Sequence, residues 1–319
     1  MIRKLLLFFT VLAIFSCGNM SETEKEIEKV EVDFEVIRFD EKFAEASPES
    51  LPELKAEYPY LFPKQYGDEV WEEKLTDTIQ LELNAEVAKA FSDFSREEDE
   101  LHRFFQHIKY YFPDFETPDV ITITSEVDYK NKVVIAEDKL FIALDTYLGQ
   151  DHHFYIGLQE YLKKNFWRSQ ILPDVSQAYA KKYVPRPQAR TFLAHMIYYG
   201  KMLYLKDLWI PFRTDADKIG YTPEEFEWAK SNEEQIWRHF VDKEFIFDTD
   251  SELYTRFLYP APFSKFYLAL DNESPDRLGQ YIGWQIIRKY MDRNEASVEE
   301  MLQTDAETIF NNANYKPSK

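Results

Sequence analysis

Hydrophobic residues recur along most of this chain at the spacing of an α-helix. Apolar side chains return every three or four positions, and proline or capping signals stand at several of the helix starts. This pattern predicts helices over 84–112, 154–167, 188–208, 222–237 and 274–291, and a last helix that opens at Ser297. The first of these is long enough to be one kinked helix or a pair of helices. The pattern is typical of a mainly helical protein.

Two regions alternate polar and apolar residues with the period of a β-strand. Val32, Phe34 and Val36 alternate with charged residues, which predicts a half-buried strand. Between 119 and 147, three β-branched runs are separated by turn residues, which predicts a small antiparallel β-sheet. The chain shows neither an internal repeat nor a Gly/Ser-rich linker, so residues 31–319 are predicted to form one α+β domain.

The start of the chain has the pattern of an export signal. Arg3 and Lys4 precede an apolar run at 5–15, which is too short to span a bilayer as a mature helix. Residues 1–16 are therefore predicted to be a lipoprotein signal peptide that is removed from the mature protein. No other apolar stretch of the sequence approaches the ~20 residues that a spanning helix needs.

Cys17 is the only cysteine of the chain, and it follows that apolar run directly. Ile14 and Ser16 place an aliphatic residue at −3 and a small residue at −1, as in the bacterial lipobox. Cys17 is therefore predicted to carry acyl chains such as palmitate and to become the new N-terminus, with 17–30 as a polar tether. An ordinary secretory signal with a stray cysteine is the alternative, although exported disulfide proteins normally carry cysteines in pairs.

Acidic residues outnumber basic residues in this chain. Asp and Glu total 58 against 38 Lys and Arg, which gives a formal net charge of −20 at pH 7. Such a surface repels phosphate backbones and anionic lipids, so nucleic-acid binding is not expected. Aromatic residues make up 17% of the chain, but they fall at helical spacing, which favours core packing over a glycan-binding surface.

His195 is the histidine whose surroundings come nearest to a metal motif. Zinc peptidases carry H-E-x-x-H on a helix, but here Met196 replaces the glutamate and Tyr199 replaces the second histidine. His195 is therefore predicted to be a packed or hydrogen-bonded core residue, and no catalytic, metal-binding or cofactor-binding residue is predicted. The alternative is a metal-dependent, peptidase-like hydrolase with an irregular site built from His195 and distant carboxylates or tyrosines. The adjacent His152 and His153 cannot both face one metal from a helix, because neighbouring side chains point ~100° apart. They are therefore predicted to mark a capped helix start.

Two acidic stretches resemble calcium-binding loops without completing the pattern. One begins with Asp248 and Asp250 but has Leu253 where the loop requires glycine. The other ends in the required Gly220 but carries Ile219 at a ligand position. Both stretches are predicted to be helix caps and turns.

Gly279 and Gly283 lie one turn apart in the helix predicted over 274–291. Glycine inside a helix costs about 1 kcal/mol relative to alanine. The pair therefore predicts that another backbone crosses closely at this face, while a bound ligand or partner protein is the alternative.

Four motifs follow the lipobox cysteine along the chain. They are "RFD" at 38–40, "LDTYLG" at 144–149 with "FY" at 154–155 behind it, "MIYYGKMLY" at 196–204 and "GQYIGWQIIRKYM" at 279–291. In this order, and over essentially the whole chain, they resemble the gliding motility lipoprotein GldB family of Bacteroidetes. The last two motifs are the specific ones.

The resemblance implies a cell-envelope lipoprotein that surface gliding requires, associated with machinery coupled to type IX secretion. Its partners would be other envelope proteins of the gliding and secretion machinery and, through the acyl chains, a membrane, with the body in the periplasm. Because the family has no established catalytic activity, only Cys17 carries over as a functional residue, and a non-catalytic scaffold role is expected. GldB-like domains also look similar to zinc-metallopeptidase folds, which implies a degenerate fold of that type around His195.

Overall fold

The computed structural model describes residues 21–269 and 271–317. The predicted signal peptide and Cys17 lie outside the described residues. The strands of the described part are β1 (Val36–Arg38), β2 (Asp119–Ile123), β3 (Val133–Ala136) and β4 (Lys139–Ala143). Its α-helices are α1 (Glu22–Ile27), α2 (Phe39–Ala44), α3 (Leu51–Glu57), α4 (Asp68–Thr76), α5 (Thr78–Ala90), α6 (Ser95–Tyr111), α7 (Glu160–Lys163), α8 (Ile171–Tyr183), α9 (Phe192–Trp209), α10 (Asp215–Ile219), α11 (Pro223–Ser231), α12 (Glu233–Asp242), α13 (Glu252–Phe257), α14 (Leu278–Arg293), α15 (Val298–Gln303) and α16 (Ala306–Ala313). The prediction of a mainly helical α+β domain is confirmed.

The four strands form one mixed sheet in the order β1-β2-β4-β3. β1 and β4 both run parallel to β2, whereas β3 pairs antiparallel with β4. The prediction of a wholly antiparallel sheet at 119–147 is therefore wrong, because β4 lies between β2 and β3. The burial of the strands explains the order: β4 is buried at Leu140, Ile142 and Ala143 and suits the interior, whereas the half-exposed β3 tolerates an edge.

Both faces of this sheet are covered. Val120, Leu140 and Ile142 pack into the main helical core, while Ile121 and Phe141 point to a second cluster beneath α2, α3 and α4. Side chains alternate between the two faces of a strand, so in a strand that is covered on both faces every side chain is buried. This accounts for the apolar runs of β2 and β4.

The first strand lies further along the chain than predicted. Val32 and Phe34 pack against the core in an irregular segment, and pairing with β2 begins only at β1. Arg38 at the end of β1 holds Asp40 through two hydrogen bonds of 3.0 and 2.8 Å and donates to the Phe91 carbonyl at 3.0 Å. The "RFD" motif thus ties β1 and α2 to the end of α5.

Several helix boundaries also differ from the predictions. The segment 84–112 forms part of a helix pair, α5 and α6, which was one of its two predicted forms. The helix predicted over 154–167 is reduced to a 3-10 turn and α7, because Gly157 has a φ of 92° and redirects the chain. The helix predicted over 222–237 is divided at Asn232 into α11 and α12.

The remaining helix starts follow their local signals. Helix α9 confirms the helix predicted over 188–208, but it begins later, at Phe192, where Thr191 caps it by accepting from the Ala194 amide at 3.2 Å. Ser297 opens α15 with a capping box, as predicted. Helix α14 begins later than predicted, because Arg277 has a φ of 55° and sets its N-terminus.

Helices α9 and α14 form the most extensive helix–helix contact of the described chain and cross at two glycines. A Cβ added at Gly283 would lie 1.9 Å from the Met196 carbonyl oxygen, and one at Gly200 would lie 2.3 Å from the Gly283 carbonyl oxygen. A Cβ at Gly279 would lie 2.9 Å from the Phe257 carbonyl oxygen. The predicted close backbone crossing is confirmed, so this face of α14 is interior rather than a docking surface.

Helix α1 packs onto α6 within the segment predicted as a tether. Ile27 is only 2% exposed, and the Gln106 side-chain amide donates to the carbonyls of Glu28 at 3.3 Å and Val30 at 3.0 Å. The folded body therefore begins by Glu22, ahead of the predicted start near residue 31.

Candidate functional site

His195 lies half-buried on α9, at the margin of the core. Its ring packs against that of Tyr254, with the ring centroids 4.2 Å apart, and burial lowers the pKa of its imidazole. Within residues 21–269 and 271–317, no three or more His, Cys, Asp or Glu side chains are grouped so that they could hold a metal ion. The geometry thus brings an aromatic neighbour to His195 rather than a ligand set.

His152 and His153 mark a helix start, as predicted. The His152 ring accepts from the Phe154 amide at 3.4 Å and so caps a short 3-10 helix. Its Nε2 lies 3.2 Å from a Glu86 carboxylate oxygen, and the His153 Nε2 lies 3.0 Å from Glu82. The two rings therefore fasten this turn to α5.

The two acidic stretches are turns and caps, as predicted. Asp248 accepts from the Asp250 amide at 3.0 Å, which closes a local turn ahead of α13. Asp217 and Thr214 form a capping box at the start of α10. The neighbouring Asp215 accepts two hydrogen bonds from Arg288, at 2.8 and 2.9 Å.

A polar cavity of about 260 Å³ lies between α8, α9, α10 and the start of α14. We call it the α8–α9 cleft. Its wall includes Asp174, Lys181, Tyr199, Lys206, Tyr259 and Arg277. The whole wall carries four cationic side chains, which include Lys218, and two anionic ones, which include Asp217, although the whole chain carries a formal net charge of −20. The cleft is thus a basic site in an acidic protein.

Lys206 is a buried ammonium in the wall of the α8–α9 cleft. It lies on the inner face of α9 with 5% of its surface exposed, and its Nζ donates to the Lys218 carbonyl at 2.7 Å. Among the described residues, no carboxylate comes within the 4.0 Å of an ion pair with this Nζ. Lys206 therefore has one carbonyl partner and no counter-ion.

Burial lowers the pKa of the Lys206 ammonium to about 7. Asp174 opposes this shift, whereas the cations Arg277, Lys132 and Lys181 add to it. Asp174 is itself engaged, because it forms an ion pair with Lys132 and accepts from the Tyr147 hydroxyl at 2.9 Å. The acid that favours the charged form of Lys206 is thus already paired with another lysine.

Arg277 closes the cleft beside the start of α14. Its guanidinium donates to the carbonyls of Ile219 at 2.8 Å and Gly220 at 3.0 Å, and its Nε lies 3.1 Å from Asp276. Asn165 donates to the same Gly220 carbonyl at 2.9 Å. These contacts fix the end of α10 against the cleft wall.

An ion-pair network behind Lys218 holds the cleft in shape. Lys218 donates to Asp207 at 2.9 Å and to Asp215 at 3.2 Å, and Arg288 bonds both carboxylates. The Trp284 indole donates to Asp207 at 2.8 Å. The network ties α9, α10 and α14 together, so the carbonyl that receives Lys206 is held by three helices.

The predictions from sequence did not include this cleft. Its signal is present in the sequence, because Lys201 and Lys206 interrupt an otherwise apolar stretch of α9. Lysines within an apolar helix that is buried on most sides have to be buried with it. Which of the two would face the α8–α9 cleft depends on the packing of other helices. Lys201 instead lines a different cavity and donates to the Leu302 and Thr304 carbonyls, at 2.9 and 2.7 Å.

Comparison with known families gives one result for nearly the whole chain. The family model for the gliding motility protein GldB matches residues 20–317. No match was found among curated proteins or among solved structures. In the described part of the chain, no helix combines the length and the apolar character needed to cross a membrane.

Proposed function

The chain belongs to the gliding motility protein GldB family, and on this premise we propose that it is a lipid-anchored, non-catalytic assembly component of the gliding machinery. In this proposal, acyl chains on Cys17 hold it in a membrane of the cell envelope, with the body in the periplasm. Its partners are other envelope proteins of the gliding machinery and of type IX secretion.

The observation that carries the proposal is the role of the motif residues that resemble the family. Gly283 and Gly200 let two helix backbones touch, the Trp284 indole bonds Asp207, and the Tyr281 hydroxyl bonds Glu233 at 2.9 Å. These contacts all preserve the shape of the body. A family pattern concentrated on shape supports a protein that works through its surface.

The position of α1 supports a body held close to the membrane. Glu22 at the start of α1 lies five positions after Cys17. Even fully extended, this span would reach roughly 17 Å, at about 3.4 Å per residue. An anchored Cys17 would therefore keep α1 and the neighbouring α6 near the lipid surface and direct the sheet edge and the later helices to other partners.

The anchor is tested with Cys17→Ala, and Ser21→Ala serves as the matched control for a small change next to the site. We expect wild type and Ser21→Ala to incorporate an alkyne-labelled palmitate and to stay in the membrane fraction after a sodium carbonate wash. Cys17→Ala should lose the label and appear in the wash. Retention of Cys17→Ala in the washed membranes would contradict the lipid anchor.

The assembly role is tested by crosslinking an affinity-tagged protein in living cells and identifying what co-purifies from membranes. Gliding and secretion proteins in comparable amounts would support the proposal, and recovery of the protein alone would count against it. Protease treatment of intact cells tests the location, because a periplasmic body is protected until the outer membrane is opened.

The metal-dependent hydrolase around His195 stays a prediction. Stoichiometric zinc in the purified protein, lost in His195→Ala, would favour it over the assembly role.

A further inference from the structure

We propose that the α8–α9 cleft binds a small organic anion whose carboxylate or phosphate group pairs with the Lys206 ammonium. This binding site is independent of the membrane anchor and of the assembly role. It would give the protein a ligand in addition to its protein partners.

The first argument is the unbalanced charge at Lys206. A buried ammonium is costly unless a counter-ion or several hydrogen bonds accompany it. Lys206 has one hydrogen bond, to the Lys218 carbonyl, and its surroundings hold more cations than anions. An anion in the cleft would supply the missing counter-ion, and it would also face Lys181 and Arg277.

The second argument comes from the two helices that begin at the cleft wall. Gln170 precedes α8 and Arg277 precedes α14, and neither side chain makes a capping hydrogen bond to its helix. Both residues line the cleft. The first amides are already engaged, because Leu278 donates to the Ser264 hydroxyl at 3.4 Å and Ile171 donates to the Arg168 carbonyl. The N-terminal end of a helix still carries a partial positive charge, so both helix ends favour an anion through charge rather than through free amides.

The size and polarity of the wall indicate the class of ligand. A cavity of about 260 Å³ lies slightly below the ~300–1,000 Å³ typical of small-molecule sites, which suits a small metabolite. Among the described residues, the hydroxyls of Tyr199 and Tyr259 have no hydrogen-bond partner. They are placed to bond the polar groups that a small organic acid or phosphate ester carries beside its charge.

Binding should be linked to proton uptake. With a pKa of about 7, Lys206 is only partly charged near neutral pH, and an anion beside it would raise that pKa. The protein therefore takes up a proton as the anion binds, and affinity falls as the pH rises above 7. The charged groups that act on Lys206 are Asp174, Arg277, Lys132 and Lys181, and Asp217 and Lys218 also line the cleft.

The test uses the full-length lipoprotein in detergent micelles, with inorganic phosphate and sodium acetate as probes in calorimetric titrations. Two buffers of different ionisation enthalpy report the proton uptake. We expect saturable binding of at least one probe at one site, and the stronger probe identifies phosphate or carboxylate as the preferred group. Lys206→Met keeps the bulk of the side chain without its charge and should weaken binding about tenfold or more.

The control is Lys182→Met, which removes the same charge from an exposed position of α8 outside the cleft and should leave binding unchanged. If Lys206→Met does not fold, Lys181→Met at the exposed margin of the cleft should still weaken binding several-fold. The proposal is overturned if neither probe shows saturable binding at concentrations up to roughly 50 mM. That concentration is far above the ~1 mM Kd of a weak complex. It is also overturned if the cleft variants bind as well as wild type.

Discussion

Replacing Gly283 by alanine tests the crossing of α9 and α14 on which the fold depends. The added Cβ would lie 1.9 Å from the Met196 carbonyl oxygen and 2.5 Å from the carbonyl carbon. Both are backbone atoms, so no side-chain rotation can remove the clash. The two helices would have to move apart, by roughly an ångström or more, to reach an ordinary contact distance.

Two effects of opposite sign decide the outcome. Alanine is the better helix former, and this effect alone would stabilise Gly283→Ala by about 1 kcal/mol. Overpacking of a tight core costs typically 1–3 kcal/mol and more when backbone has to move. Separating α9 from α14 also loosens contacts along the largest helix pair of the described chain. We expect the clash to prevail, with a net loss of about 2–4 kcal/mol in the free energy of unfolding.

Urea unfolding followed by circular dichroism and tryptophan fluorescence measures this loss. Gly67→Ala is the matched control, because its new Cβ would meet only the Glu69 side chain, which can rotate away. Gly67 precedes α4 as its N-cap, so this control should cost less than about 1 kcal/mol. If Gly283→Ala is as stable as the control, or more stable than wild type, the close crossing is refuted.

A double variant sharpens the test. Gly200→Ala alone should also destabilise, because its Cβ would lie 2.3 Å from the Gly283 carbonyl oxygen. Once one alanine has separated the helices, the second needs little further movement. The double variant Gly200→Ala/Gly283→Ala should therefore lose less free energy of unfolding than the two single losses added together. An additive loss would mean that the two clashes are independent of each other.

Three further predictions concern ion pairs, burial and capping. Arg288→Lys should lower the free energy of unfolding by about 2–4 kcal/mol, because lysine cannot bridge Asp207 and Asp215 as a planar guanidinium does; an unchanged urea midpoint would contradict the network. Lys201 has a pKa of about 8 when folded, below its ordinary 10.5, so the unfolded chain holds a proton that the folded chain lacks between these values. Wild type should therefore gain stability relative to Lys201→Met as the pH rises from 8 to 10.5, and parallel stability profiles would refute the burial of this charge. Ser297→Ala should lower the free energy of unfolding by about 1 kcal/mol, because it removes the cap of α15. A lower midpoint of thermal unfolding would show this loss, whereas an unchanged midpoint would mean that the capping box contributes nothing.

Local signals predicted the local features well. The capping residue Ser297 starts a helix where the sequence predicts it, and the turn between β3 and β4, at Glu137 and Asp138, separates two of the predicted β-branched runs. These features depend on neighbours within a few residues, so the sequence contains their causes. The close crossing at Gly283 was predicted for a related reason, since a glycine inside a helix indicates an approaching backbone.

Features that depend on distant residues were missed. The alternation in β3 and β4 fixes which side chains share a face but not which strand lies beside β2. The α8–α9 cleft needs Asp174 from α8, Lys206 from α9 and Arg277 from the start of α14, and the first and last of these lie 277 − 174 = 103 positions apart along the chain. No spacing rule connects positions so far apart.

The sequence by itself determined the helical class, the caps, the acidic character and the membership of the GldB family, because each follows from composition or from short patterns. The tertiary structure alone decided the strand order, the burial of Lys201 and Lys206 and the counter-ions that they have or lack. The free energy of a buried charge is set by every group packed around it, and those groups meet only when the helices pack.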